Sequence, residues 1–116
     1  MNVEFTKRLP SIQDVKAMYP VSEELAQIKK KNDEEIKAVF EGTSDRLIIV
    51  VGPCSADRAD SVLDYISILR NVQEKVKDKI LIIPRVYTNK PRTNGLGYKG
   101  MLHQPNANDN PDLFKG

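Results

Sequence analysis

The sequence predicts an α/β fold, one strand, helix and strand unit with parallel strands, preceded by a helical extension. Three observations predict it. Leu47-Ile48-Ile49-Val50-Val51 is an unbroken apolar run of strand length. Val62, Ile66, Leu69, Val72 and Val76 then recur at helical spacing. A second apolar run, Ile80-Leu81-Ile82-Ile83, follows at once. A strand, a helix and a strand in that order make a right-handed crossover whose strands run parallel.

The chain has 116 residues, 40% hydrophobic and 29% charged, a balance that suits one globular unit rather than a disordered chain. A formal net charge of +2 gives no ground for nucleic-acid or membrane binding, and neither partner is expected. The single cysteine cannot form an internal disulfide. With no apolar stretch near 18 residues and no signal-peptide core, the expected location is cytoplasmic.

Residues 1–45 read as the extension. Val3 and Phe5 suggest a short strand, and Ile12-Gln13-Asp14-Val15-Lys16-Ala17-Met18 a helical turn or two between Pro10 and Pro20. Ser22 is a good N-cap, with Glu23 and Glu24 in the first turn where the helix dipole favours them. Leu25, Ile28, Ile36, Val39 and Phe40 share one stripe that needs a cover, and Gly42 suits the C′ position. Lys29-Lys30-Lys31 followed by Asp33-Glu34-Glu35 reads as a solvated helix face.

Residues 46–116 carry the two strands and a long loop. The first strand lacks polar alternation, as a parallel strand covered on both faces does. Gly52 allows a conformation that a Cβ would forbid, and Pro53 lacks the N–H to continue a ladder, so the strand stops there. Asp57 is a candidate start for the helix, expected over about 58–77, with Lys75, Lys77 and Lys79 near its end. Pro84 removes one ladder donor from the second strand, which is expected to loosen or bulge there. Residues 88–111 hold no long apolar run and are rich in Pro, Gly and Asn, the signature of a functional or disordered loop.

Both strands end in potential chemistry, and parallel strands bring their carboxyl ends to one edge. Cys54 lies just past the first. A thiolate near a helix amino end and among cations has a lowered pKa and can bind a divalent metal; the alternative is a small buried hydrophobe. Past the second come Arg85 and Lys90-Pro91-Arg92-Thr93. Lys supplies a point charge, Arg a bidentate fork and Thr a hydroxyl, a set suited to phosphate; the alternative is a solvated basic loop. An Arg in an apolar strand should be paired or ligand-bound. His103 has no metal-ligating pattern around it and reads as a hydrogen-bonded loop histidine, and Gly95-Leu96-Gly97 is not set between a strand and a helix as a nucleotide fingerprint requires.

Residues 45–55, with Gly52-Pro53-Cys54-Ser55 at their end, then Arg85-Val86-Tyr87, Lys90-Pro91-Arg92-Thr93 and Gly97-Tyr98-Lys99-Gly100, resemble in order and spacing the amino-terminal third of 3-deoxy-D-arabino-heptulosonate 7-phosphate (DAHP) synthases of the shorter, feedback-regulated bacterial and fungal kind. The resemblance implies a (β/α)8 barrel of which this chain holds the first βαβ part, an incomplete barrel. It implies a transferase that condenses phosphoenolpyruvate with erythrose 4-phosphate, the entry to the shikimate pathway, with a divalent metal ion as cofactor. Cys54 matches the metal ligand. Arg85 and Lys90 match the catalytic residues that contact phosphoenolpyruvate, and Pro91, Arg92 and Thr93 the loop that holds erythrose 4-phosphate. Small phosphorylated substrates are the implied partners, and the full-length form is implied to be a homo-oligomer.

A closed barrel of this type needs about 250 residues. The family's other metal ligands belong to later strands, and Pro84 stands where an unrestricted apolar residue would be expected. The chain alone is therefore expected to be inactive. The competing expectation is a non-catalytic module that binds a phosphorylated metabolite and docks on a full-length synthase.

Overall fold

A computed structural model describes Glu4 and residues 7–106, 110–113 and 115–116. The strand expected around Val3 and Phe5 lies outside the described residues. The order of elements is α1 (Ile12–Met18), α2 (Glu23–Phe40), β1 (Leu47–Val51), α3 (Ala59–Val76) and β2 (Ile80–Pro84).

Capping explains where the helices begin. Ser11 and Asp14 form a reciprocal capping box at α1, each side chain bonding the other's backbone N–H. The Ser22 hydroxyl accepts from Leu25 N–H at the start of α2, and Gly42, at φ +75°, closes its end with an N–H on Val39 O. The Lys29 to Lys31 run pairs with Asp33 and Glu35 on an exposed face. Asp57 is not the cap of α3. Arg58 takes that position without a side-chain cap bond, and the Asp60 carboxylate in the first turn accepts from Ser61 N–H at 2.8 Å instead.

β1 and β2 pair in parallel with unbroken register from Leu47 opposite Ile80 to Val51 opposite Pro84. The bulge expected at Pro84 is absent. In a parallel strand successive residues turn their amides to opposite sides. Arg85 N–H donates to Val51 O at 2.8 Å, so position 84 faces the outer edge, and its missing donor costs the β1-β2 ladder nothing.

α3 packs on the sheet, and the end of α2 meets β1, where Arg46 Nη1 bonds Glu35 Oε2 at 3.1 Å. The cover expected on both faces of β1 is not provided by this chain: Leu47 and Val50 remain 62% and 61% exposed. The α2 stripe is likewise open at Leu25, Ile28 and Phe40, while Ile36 and Val39 are half-buried. Uniformly apolar strands are suited to two covered faces, and here each face of β1 keeps an exposed residue, Leu47 on one and Val50 on the other. Among the described residues the one fully buried hydrophobic side chain is Ala56, at the carboxyl end of the sheet.

Candidate functional site

The in-register pairing puts Val51 and Pro84 side by side, so the segments that follow them leave the sheet at one edge. Gly52 is needed there for space, since its φ is not positive. A Cβ on it would lie 2.0 Å from Arg85 O, so the strand ends approach more closely than any side chain permits. Pro53 then turns the chain away and leaves Cys54 exposed beyond it. The buried-hydrophobe reading of Cys54 is thereby removed.

Lys90 Nζ donates to Cys54 Sγ at 2.7 Å. This contact and the charge of Lys90 hold the thiol below its ordinary pKa, with smaller help from Arg85 and Arg92. The cations do this rather than the helix, which begins only at Ala59. Arg85 lies one residue past β2, not inside it. It is exposed and anchored from below: Nη2 donates to Pro53 O at 2.7 Å, and the guanidinium sits 5.2 Å from the centroid of the Tyr87 ring. Cys54, Arg85, Lys90 and Arg92 thus share one electrostatic neighbourhood. Pro91 and Thr93 are exposed in the same loop, outside that hydrogen-bonded set.

The loop is ordered by its own backbone. Lys90 N–H donates to Lys99 O at 2.9 Å and Leu102 N–H to Thr88 O at 3.0 Å. Gly100, at φ +99°, lets these strands of loop close, since a Cβ would sit 2.1 Å from Thr88 O. Arg92 is aimed by its Nε on Tyr98 O at 3.0 Å. His103 bonds Asn89 Oδ1 at 3.1 Å, as a loop histidine should.

Tyr98 is the residue that sequence reasoning passed over. Its hydroxyl is 2.8 Å from Gln104 O and 3.3 Å from Ala56 O, tying the basic loop to the segment that carries Cys54. Burial, with Asp57 nearby, pushes its phenol above the usual pKa, so it stays a donor. Tyr87 O adds a second tie by accepting from Ala56 N–H at 2.9 Å. The signal available was an aromatic residue enclosed by glycines in a loop otherwise poor in apolar groups. A separate cleft of about 570 Å³, between Lys7 and Leu9 on one side and Lys99, His103 and Leu113 on the other, contains none of the predicted site residues.

The donor set bears on a metal in a limited way. An exposed thiol held toward its thiolate form is a good soft ligand. Among the described residues no group of three or more His, Cys, Asp or Glu side chains converges. The described residues do not enclose an ion by themselves. No described helix is long and apolar enough to cross a membrane.

Comparison with known proteins identifies the family and the fold. The family model described as the DAHP synthetase I family matches residues 13–113. A phospho-2-dehydro-3-deoxyheptonate aldolase of Haemophilus influenzae is 40% identical over 98 residues, which are 84% of this chain and 27% of that protein. One from Corynebacterium glutamicum is 34% identical over 108 residues, 93% of this chain and 29% of that protein. The solved structure of the Francisella tularensis enzyme superposes with a TM-score of 0.86 at 31% identity, covering 98% of this chain and 33% of that one. The chain thus spans between a quarter and a third of these relatives, at their amino-terminal portion. With the match running through the helical extension, both strands and the basic loop, the chain belongs to the DAHP synthetase I family.

Proposed function

We propose that this chain is the part of a DAHP synthase that supplies one metal ligand and the first anion-binding residues of the active site. The observation that carries the reading is the contact of Lys90 Nζ with Cys54 Sγ, with Arg85 and Arg92 beside it at one sheet edge. Arg85 and Lys90 offer a fixed fork and a point charge to the phosphate and carboxylate of phosphoenolpyruvate. Arg92 and Thr93 offer a guanidinium and a hydroxyl to the phosphate of erythrose 4-phosphate. Cys54 would be one ligand of the divalent metal, which when bound polarises a carbonyl or activates water. The cations offset the charge that two phosphorylated substrates bring together. The barrel, the homo-oligomer and the cytoplasmic setting belong to the same reading of the whole protein.

The chain alone is proposed to be inactive, because among its described residues no set of three or more metal-ligating side chains converges. Cobalt(II) added to it should give a thiolate charge-transfer band that disappears in Cys54→Ser, while phosphoenolpyruvate and erythrose 4-phosphate should yield no condensation product. Product formation would overturn the inactivity, and absence of the band would overturn the ligand role. A second reading, a phosphometabolite-binding module that docks on a complete synthase, is favoured by the exposed apolar residues Ile12, Met18, Leu25 and Ile28 along α1 and α2. It requires a complete synthase to co-purify with the chain.

A further inference from the structure

Asn94 is the only asparagine of the sequence that precedes a glycine. It follows Thr93 directly, in an exposed turn of the basic loop. Bonds among residues 92–98 shape that turn. Gly95 N–H donates to Arg92 O at 3.1 Å, Leu96 N–H donates to Asn94 Oδ1 at 3.1 Å, and Arg92 Nε donates to Tyr98 O at 3.0 Å. These partners are all local, so the geometry does not depend on any later strand.

The bond from Leu96 N–H folds the Asn94 carboxamide over the Gly95 peptide and draws electrons from Cγ. Gly95 has no Cβ to hinder approach to that carbon. It stands at φ +70° with no atom within 4 Å of where a Cβ would lie. Its amide is held by one turn bond, which local opening releases. Other asparagines are placed differently. Asn32 and Asn71 lie inside α2 and α3, where the next amide belongs to a helix ladder, and Asn89 is followed by Lys90, whose N–H is bonded to Lys99 O.

We propose that Asn94 is a site of spontaneous deamidation, and that the carboxylate it leaves weakens the hold of the basic loop on phosphate. Gly95 N attacks Asn94 Cγ. That C–N bond forms as Cγ–Nδ2 breaks, and the Gly95 amide proton leaves with Nδ2 as ammonia. Water then opens the cyclic imide at either carbonyl, to aspartate or isoaspartate, and no other reactant is consumed. The new charge stands next to Thr93 and two residues from Arg92, where it repels a bound anion. This second effect rests on the proposed anion site.

The test keeps the full 116-residue chain at mildly alkaline pH, where the attacking nitrogen loses its proton more readily. Peptide mass mapping and labelling by isoaspartyl methyltransferase follow each asparagine. Asn94 should convert ahead of Asn32, Asn71 and Asn89, and Gly95→Ala should slow it roughly ten-fold or more. Conversion of Asn94 no faster than theirs, or an unchanged rate in Gly95→Ala, overturns the site. Inorganic phosphate, followed by its phosphorus NMR signal at low salt, should bind Asn94→Asp roughly three- to ten-fold more weakly than the parent, and Asn94→Ser as the parent does. Equal binding by Asn94→Asp and the parent overturns the effect on phosphate. Absence of binding by the parent refutes the anion site and that effect with it, while the peptide map decides the deamidation in either case.

Discussion

Replacing Gly52 by Ala tests whether the two strand ends are as close as the site requires. The new Cβ would lie 2.0 Å from Arg85 O and 2.9 Å from its carbonyl carbon. Both are backbone atoms, so no rotamer relieves the clash, and the strands must part by about 1 Å to restore ordinary contact. That movement stretches the bond of Arg85 N–H to Val51 O, now 2.8 Å, beyond useful length and draws the guanidinium from Pro53 O. Overpacking costs about 1–3 kcal/mol and the lost hydrogen bond about 1 more. With a urea dependence of roughly 1–3 kcal/mol per molar, the unfolding midpoint should fall by about 1 M or more. Circular dichroism in urea measures it. A midpoint equal to that of the parent would refute the close approach, and with it the shared edge for Cys54 and Arg85.

Other expectations follow from the same geometry. Lys90→Met removes the main cause of the lowered Cys54 pKa, so the pH at which iodoacetamide reaches half its maximal rate should move upward and alkylation at neutral pH should slow. Because the folded thiol titrates below its unfolded value, its contribution to stability is present above the unfolded pKa and fades as pH falls through the folded one; urea midpoints across that window should show this trend in the parent and lose it in the variant. Tyr98→Phe removes the hydroxyl on Gln104 O and should destabilise the chain by about 1 kcal/mol, read from thermal unfolding. Glu35→Gln breaks the half-buried pair with Arg46; a loss of at most about 1 kcal/mol is expected, smaller in 1 M salt.

The elements were legible because their signals are local. Ser22, Gly42 and the 3.6-residue spacing of Val62, Ile66 and Leu69 need no tertiary context, and α2 and α3 fall where those residues place them. Three errors came from context that a single chain does not display. Whether a missing donor at Pro84 matters depends on which side of the strand it faces. The role of Gly52 depends on a neighbour 33 residues away rather than on its own dihedral angles. Composition cannot show that the cover expected for β1 is incomplete at Leu47 and Val50, on opposite faces of the strand. In the site, the residue types at 54, 85, 90 and 92 were readable as a thiol among cations. The Tyr98 tie was not, because a hydroxyl that bonds carbonyls at Ala56 and Gln104 leaves no periodic trace.

The most direct test of the central claim is the binding of phosphoenolpyruvate to the chain, followed by its phosphorus NMR signal. The account predicts saturable binding that weakens roughly ten-fold or more in Arg85→Met and in Lys90→Met, as loss of a charged hydrogen bond does. Lys30→Met, on the solvated face of α2, should leave it unchanged. Binding that is absent in the parent, or equal in all three variants, would contradict the assignment of this sheet edge as the anion site.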